Sequence, residues 1–355
     1  MRCLAFGLLL VFLIMACAPA LAQSAGEDTL TLSFVGDMSI GEMYQQRGRA
    51  GSYTRTVDEK GFEWPFSLVR KYLDADDVTV GNLEVVFTTL KKHKDKDINL
   101  LADPKYASVL LHSGVDVVNT ANNHSYDFGT AGYEQSMKTL DEAGIPHFGT
   151  VDPDAGDIKD KLLIHEVKGI RIGFLGFTYP QNSDQARIAK RIKTLRDAGC
   201  QLVIVSLHWG REVHATPNVG QYAYAKKIID AGADAVYGQH PHILQPIHIY
   251  KGKPIFYSTG NFTFGSMSKV DPDTGIFLLR YHMTESGPVL ENLTVIPCRT
   301  QGKGDFRPYE LTEEKDRAKV FSKLVFKKEA EGMKNLPASF LEAGSVDFVN
   351  GEMVP

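Results

Sequence analysis

His208, His240 and His242 offer imidazole nitrogens, Asp37 and Glu84 offer carboxylates, and Asn123 offers a neutral amide oxygen. That mixture suits borderline divalent ions such as Mn²⁺, Zn²⁺ or Fe, because Ca²⁺ takes oxygen alone and soft ions take thiolate. Six candidate ligands exceed the four of one tetrahedral ion and match two ions that share a bridging carboxylate. Centres of that kind hold their ions ~3.5–4 Å apart and clamp both the attacking and the leaving oxygen. Two divalent ions set against Asp37 and Glu84 leave positive charge in excess, which acidifies bound water and draws in an anionic substrate. His124 lies close by, next to Asn123, and Arg211, just beyond His208, is placed to meet an oxyanion. His240 and His242 are two apart, so an extended backbone, favoured at His240 by Pro241, would put both rings on one side.

Each of these residues also has an ordinary explanation. Asp37 after Gly36 suits a turn, and Arg211 with Glu212 suits a solvated ion pair. Asn82 and Asn122 suit turns or the orientation of ligands, and Asn261 suits a tight turn as well as a place in the site. His112, His147, His165, His214, His248 and His282 read as surface or internally satisfied histidines. What favours a metal centre is the repetition, since each cluster stands at the end of an apolar run.

Those runs set the architecture. Residues 29–35, 78–80, 115–118, 202–207 and 234–237 read as strands that deliver Gly36-Asp37, Gly81-Asn82-Leu83-Glu84, Asn122-Asn123-His124, His208 and His240-Pro241-His242. Helical patterns at 104–113, 133–143, 185–198 and 222–231 each stop at a glycine: Gly114, Gly144, Gly199 and Gly232. Alternating helix and strand means βα units around a largely parallel sheet, where ligands gather at the carboxyl ends of strands. Residues 171–177 and 255–258 are further strands, and 275–283 with 290–298 form an antiparallel hairpin. Residues 42–61 read as a surface excursion and 304–355 as charged and weakly patterned. The run KKHKDKD at 91–97 reads as a solvated loop, with contact to an anionic polymer as the sharper alternative.

The amino end carries Arg2, an apolar stretch over residues 4–18 and the small residues Ala20-Leu21-Ala22, the pattern of a secretory signal peptide over residues 1–22. Export to the periplasm or the exterior follows; lipid anchoring at Cys17 ranks second, because Met15 is bulky for a lipidation signal. Beyond residue 22, no apolar run approaches the ~20 residues of a membrane helix. Cys200 and Cys298 could form one bridge or remain two thiols. The formal charge of −4 over 355 residues is mildly acidic and argues against nucleic acid as a partner.

GNLE, ANNHSYDFG, HWGRE, GQHPH and YSTGNFTF occur in that order across most of the chain after the leader. Together they resemble the bacterial capsule-synthesis family typified by CapA, the poly-γ-glutamate capsule protein. The resemblance, in turn to calcineurin-like metallophosphatases, implies an α/β/β/α four-layer sandwich with a dinuclear centre over residues 23–303, followed by an extension at 304–355. It implies Asp37, Asn123, His208, His240 and His242 as ligands, Glu84 as the bridge and His124 as the acid. Ser39 stands where metallophosphatases carry a ligating histidine, Glu84 where they carry aspartate, and Gln239 where many relatives carry histidine. Two functions follow: a metal-dependent hydrolase acting on a phosphoester or a γ-glutamyl amide, or a non-catalytic factor that holds polymer carboxylates. Either would work on an anionic polymer or phosphorylated substrate, next to capsule-synthesis machinery at the membrane.

Overall fold

A computed structural model describes residues 28–151, 159–178, 185–266, 270–326 and 330–354. Residues 1–22, expected to be a signal peptide, lie with Cys17 outside the described residues. Along the first half run β1 (Thr29–Ser39), α1 (Tyr53–Lys60), β2 (Val78–Leu83), β3 (Val117–Asn119), α2 (Gly129–Glu142) and β4 (His147–Val151). Next come β5 (Leu163–Val167), β6 (Ile170–Thr178), α3 (Gln185–Asp197), β7 (Leu202–His208), α4 (Val219–Asp230) and β8 (Ala235–Gln239). The chain then forms β9 (Ile247–Tyr250), β10 (Lys253–Phe256), β11 (Asn261–Phe264), β12 (Asp273–Thr284) and β13 (Gly287–Thr300). It closes with α5 (Glu314–Leu324) and β14 (Ser345–Val349).

β1 lies between β2, which is parallel to it, and β12, which is antiparallel, while β3 and β4 extend the sheet beyond β2 in parallel. A second sheet runs β5, β6, β7, β8, β10, β9, parallel from β6 through β10. Alternation along the strands shows how the two sheets stack. Leu30, Leu32 and Phe34 of β1 share one core with Phe174 of β6, Ile204 of β7, Tyr237 of β8 and Phe256 of β10. Residues of opposite parity point away from it: Val35 packs beneath Tyr53 and Val57 of α1, joined by Met38, which lies past a bulge that reverses the alternation, and Val203, Val205 and Val236 pack beneath α3 and α4. Strands buried on both faces must be apolar throughout, which is why β6 and β7 read as continuous hydrophobic runs. The result is a four-layer α/β/β/α sandwich. Phe34 bridges the layers, its ring centroid 5.1 Å from Tyr237 and 5.8 Å from Phe256.

Several local expectations differ. Residues 42–61 are not merely an excursion, because Ser52 caps α1 and that helix buries Tyr53 and Val57. Residues 104–113 break into a 3-10 turn, Pro104–Ala107, and a single α turn, Ser108–Leu111. The weakly patterned carboxyl end is joined to the sandwich: Val320, Phe321 and Leu324 of α5 and Phe348 of β14 enter the inter-sheet core, and β14 pairs with β13. Charge hid these residues, because their apolar positions are few and widely spaced. Cys200 and Cys298 are both buried, free thiols.

Candidate metal centre

The candidate side chains meet where the parallel strands end. Asp37 sits at a bulge in β1, where the pairing with β2 and β11 shifts register. Its backbone N–H donates to the Gly260 carbonyl at 2.8 Å. A side chain on Gly36 would lie 2.1 Å from that same carbonyl oxygen, so only glycine lets the two segments close. Glu84 follows β2, with its N–H donating to the Met38 carbonyl at 2.8 Å. Asn122, Asn123 and His124 follow β3, His208 ends β7, and His240 and His242 follow β8.

His240 and His242 do not lie on the extended backbone expected of them: their φ angles are 94° and 59°. Such left-handed residues cost about 1–3 kcal/mol each and persist where the surroundings over-determine them. Here the Asp37 carboxylate accepts from the His240 N–H at 3.2 Å, and the Pro241 carbonyl accepts from Val213 N–H at 2.9 Å. Val213 itself has φ of 56°, rare for a β-branched residue.

Glu84 is fully buried, and neither carboxylate oxygen has a hydrogen-bond partner. Its Oε1 lies 3.8 Å from His124 Nε2, 3.7 Å from His208 Nε2 and 3.9 Å from His242 Nε2. Those separations are too long for hydrogen bonds. They are close to what two ligands of one ion keep when each bond is about 2.1 Å. Glu84 with His208 and His240, and Asp37 with Glu84 and His242, form triads whose ligand atoms fall within 4.8 Å of one another. A buried, unpartnered carboxylate surrounded by imidazoles fits divalent metal, whose charge would compensate the desolvated oxygens.

Proton affinities divide the candidate ligands. Burial and the Asp37 carboxylate hold Glu84 well above the usual carboxylate range. Burial lowers His240 to about 4, helped by His242, and burial with three neighbouring imidazoles keeps His208 well below its usual value. Burial acts against a proton on His242 too, yet Glu84 and Asp37 raise it to about 10.

Around the candidate ligands runs a network that fixes their orientation. Asn82 donates to Asp37 Oδ1 at 2.8 Å and lies 3.4 Å from His208 Nδ1. Asn119 donates to Asn82 Oδ1 at 3.0 Å, and Asn122 donates to the Leu83 carbonyl at 2.8 Å. Asn123 Oδ1 is 2.9 Å from His208 Nε2, and Asn261 Oδ1 is 2.9 Å from His242 Nδ1. Glu212 is exposed, yet its carboxylate groups with His240 and His242, closer to a ligand's place than expected. Arg211 is exposed on the same loop. Gln239 turns away and exchanges hydrogen bonds with Ser206, at 2.9 and 3.2 Å. His147 and His248 are occupied elsewhere, His147 with the Ile145 carbonyl and Lys161 and His248 stacked on Phe326.

Three contributors were missed from sequence: Asn119, Asp127 and Lys96. Asp127 is buried, and its carboxylate lies 2.7 Å from His124 Nδ1. Lys96 pairs with Asp127 at 2.5 Å. The spacing His124-Ser125-Tyr126-Asp127 was a readable sign, since one turn brings residues three apart together. Nothing local marked Lys96 out from the other lysines of its run.

Residues 31–266 match the model of the family described as bacterial capsule synthesis protein PGA_cap. The chain belongs to this capsule-synthesis family. It is 30% identical over 321 residues to the capsule biosynthesis protein CapA of Bacillus anthracis, spanning 84% of this chain and 73% of the relative. With the PGA biosynthesis protein CapA of Bacillus subtilis it shares 31% identity over 282 residues, 75% of this chain and 70% of that one. A solved structure of a hypothetical protein from Thermus thermophilus superimposes with a TM-score of 0.46 at 16% identity, over 76% of this chain and 98% of its own. Family membership covers every strand end that carries the centre.

Proposed function

We propose that this capsule-family protein is an exported metal-dependent hydrolase that cleaves a phosphoester or a γ-glutamyl amide in an anionic substrate. The observation that carries the reading is Glu84: a fully buried carboxylate with both oxygens unpartnered and three imidazole nitrogens 3.7–3.9 Å away. Asp37, Glu84, Asn123, His208, His240 and His242 would hold two divalent ions, of Mn, Zn or Fe, with Glu84 between them and Glu212 at hand. Ions held there would supply Lewis acidity and a nucleophile at neutral pH. His124 is held by Asp127 through Nδ1, so its Nε2 faces Glu84 and is the atom positioned to deliver a proton to a leaving group. Arg211 extends from the loop after β7, where its guanidinium would meet the substrate's anionic group.

Elemental analysis of the purified protein beside Glu84→Ala and His240→Ala tests the centre. About two divalent ions per chain, lost in both variants, is the expected result; no bound metal after reconstitution with Mn²⁺ or Zn²⁺ would overturn it. The second reading, a polymer-binding factor, draws on Ser39, a buried residue whose hydroxyl has no partner where metallophosphatases place a ligating histidine. Turnover abolished in His124→Ala favours the hydrolase; polymer binding that persists in that variant, with no turnover in the unaltered protein, favours the factor.

A further inference from the structure

The lysine run at residues 91–97 is not the loosely solvated loop its composition suggests. Its leading edge is pinned to α2: Gln135 Oε1 accepts from the Thr88 hydroxyl at 2.6 Å and from the Thr89 N–H at 3.2 Å, and Leu90 N–H donates to Thr88 Oγ at 3.1 Å. Its trailing edge is gathered by Asn99, whose buried side chain donates to the carbonyls of Lys94 and Lys96, each at 3.1 Å. Between these anchors the loop is fastened to the segment that bears Asn123 and His124. Lys94 N–H donates to the Asp127 carbonyl at 2.7 Å, and Lys96 Nζ donates to the Asn123 carbonyl at 3.2 Å while pairing with Asp127. His93 packs its ring 4.6 Å from Tyr44 and 6.1 Å, edge-on, from Phe128.

We propose that this loop is a second anion-binding subsite at the lip of the metal centre, with Lys91 and Lys92 receiving a neighbouring charged group of an extended polyanion. Holding an irregular loop in one conformation costs conformational entropy, and a merely solvated loop would not carry so many anchors. Lys96 spends its charge on Asp127, but Lys91 and Lys92 are exposed and have no ion-pair partner among the described residues. They sit one and two residues past the anchored Leu90, on the loop that Lys94 and Lys96 fasten to the segment bearing Asn123 and His124. The molecule as a whole is acidic, with a formal charge of −4, and would repel a polyanion elsewhere. A fixed cationic lip beside a cation-rich centre focuses attraction onto one edge. Spacing follows: one anionic group of the substrate sits at the metal centre while another, further along the same chain, meets the lysines. This rests on the metal-centre reading above and narrows its substrate to a polymer or oligomer.

The test compares the metal-loaded protein with Lys91→Ala/Lys92→Ala and with a control, Lys138→Ala/Lys193→Ala, which removes the same charge from α2 and α3. Binding is measured for an oligomer of poly-γ-glutamate and for inorganic phosphate, at low and high salt, alongside metal content. The lip variant is expected to bind the oligomer about tenfold more weakly at low salt, with a shallower salt dependence, and the control to match the unaltered protein. Metal content and phosphate binding stay unchanged in both variants. Equal oligomer affinity in the lip variant and the unaltered protein, or an equal loss in the control, would overturn the subsite and leave the metal centre standing. A protein that takes up no metal yet loses oligomer binding in the lip variant alone would sink the hydrolase reading and leave the lip intact.

Discussion

Glu84 has no hydrogen-bond partner on either oxygen, and that governs how the centre responds to pH. Burial and Asp37 raise its proton affinity, and Glu84 in return raises His242 to about 10 against the effect of burial. His240, lowered to about 4 by burial and by His242, is already neutral near pH 7 and ready to ligate. Metal entry must therefore expel protons from the Glu84–His242 pair and none from His240. Because ligands bind metal deprotonated, affinity rises as pH increases from about 5 towards 9, and protons are released on binding. Calorimetric titration with Mn²⁺ or Zn²⁺ in buffers of different ionisation enthalpy measures that release. Proton uptake, or affinity that falls as pH rises, would contradict the assignment of Glu84 and His242.

At the scale of elements, the centre depends on backbone that only glycine permits. Gly36 admits the Gly260 carbonyl, and a side chain on Gly238 would lie 2.2 Å from the Tyr257 carbonyl oxygen. Gly36→Ala must push the 258–261 segment off β1, moving Asp37, which takes its backbone partner from Gly260, and Asn261, which holds His242. Displacing groups that orient ligands costs about 10–100-fold in metal affinity. Gly36→Ala is expected to keep its circular dichroism and lose metal affinity by at least tenfold in a competition titration with a chelator. Unchanged affinity would mean that the bulge does not position Asp37. The strain in His240, His242 and Val213 belongs to the same account, since the two loops are tied to each other by a backbone bond from Val213 to Pro241 and to β1 by the His240 N–H on the Asp37 carboxylate.

For the molecule as a whole, the sandwich is closed by residues far from the family match. Val320, Phe321 and Leu324 of α5, with Phe340, Val346 and Phe348, fill the inter-sheet core, and Asp273 of β12 is paired with Arg299 of β13 and with Lys319 and Lys323 of α5. Each large apolar side chain buried is worth about 1.5–3 kcal/mol. A chain ending at residue 313 exposes the floor of the core, and its melting temperature is expected to fall by more than ~10 °C or the product to be insoluble. Calorimetry of the truncated protein decides this; an unchanged melting temperature would show that 314–354 is an appendage.

The sequence by itself determined which residue types could ligate a metal, and that they stand at the ends of apolar runs separated by helices. Periodicity is local, so Leu30-x-Leu32-x-Phe34 in β1 and Ile188, Ile192 and Leu195 in α3 declare their buried faces without reference to the rest of the chain. Order of motifs then declared the family. Tertiary structure alone decided that Glu84 is left without a partner, that Glu212 approaches His240 and His242, and that Lys96 reaches Asp127. These are contacts between segments distant in sequence, and the energy of a buried charge depends on everything around it. Only the fold decided the backbone of His240 and His242, because the proline between them speaks for an extended chain while the Asp37 carboxylate and the closing loops hold a left-handed one.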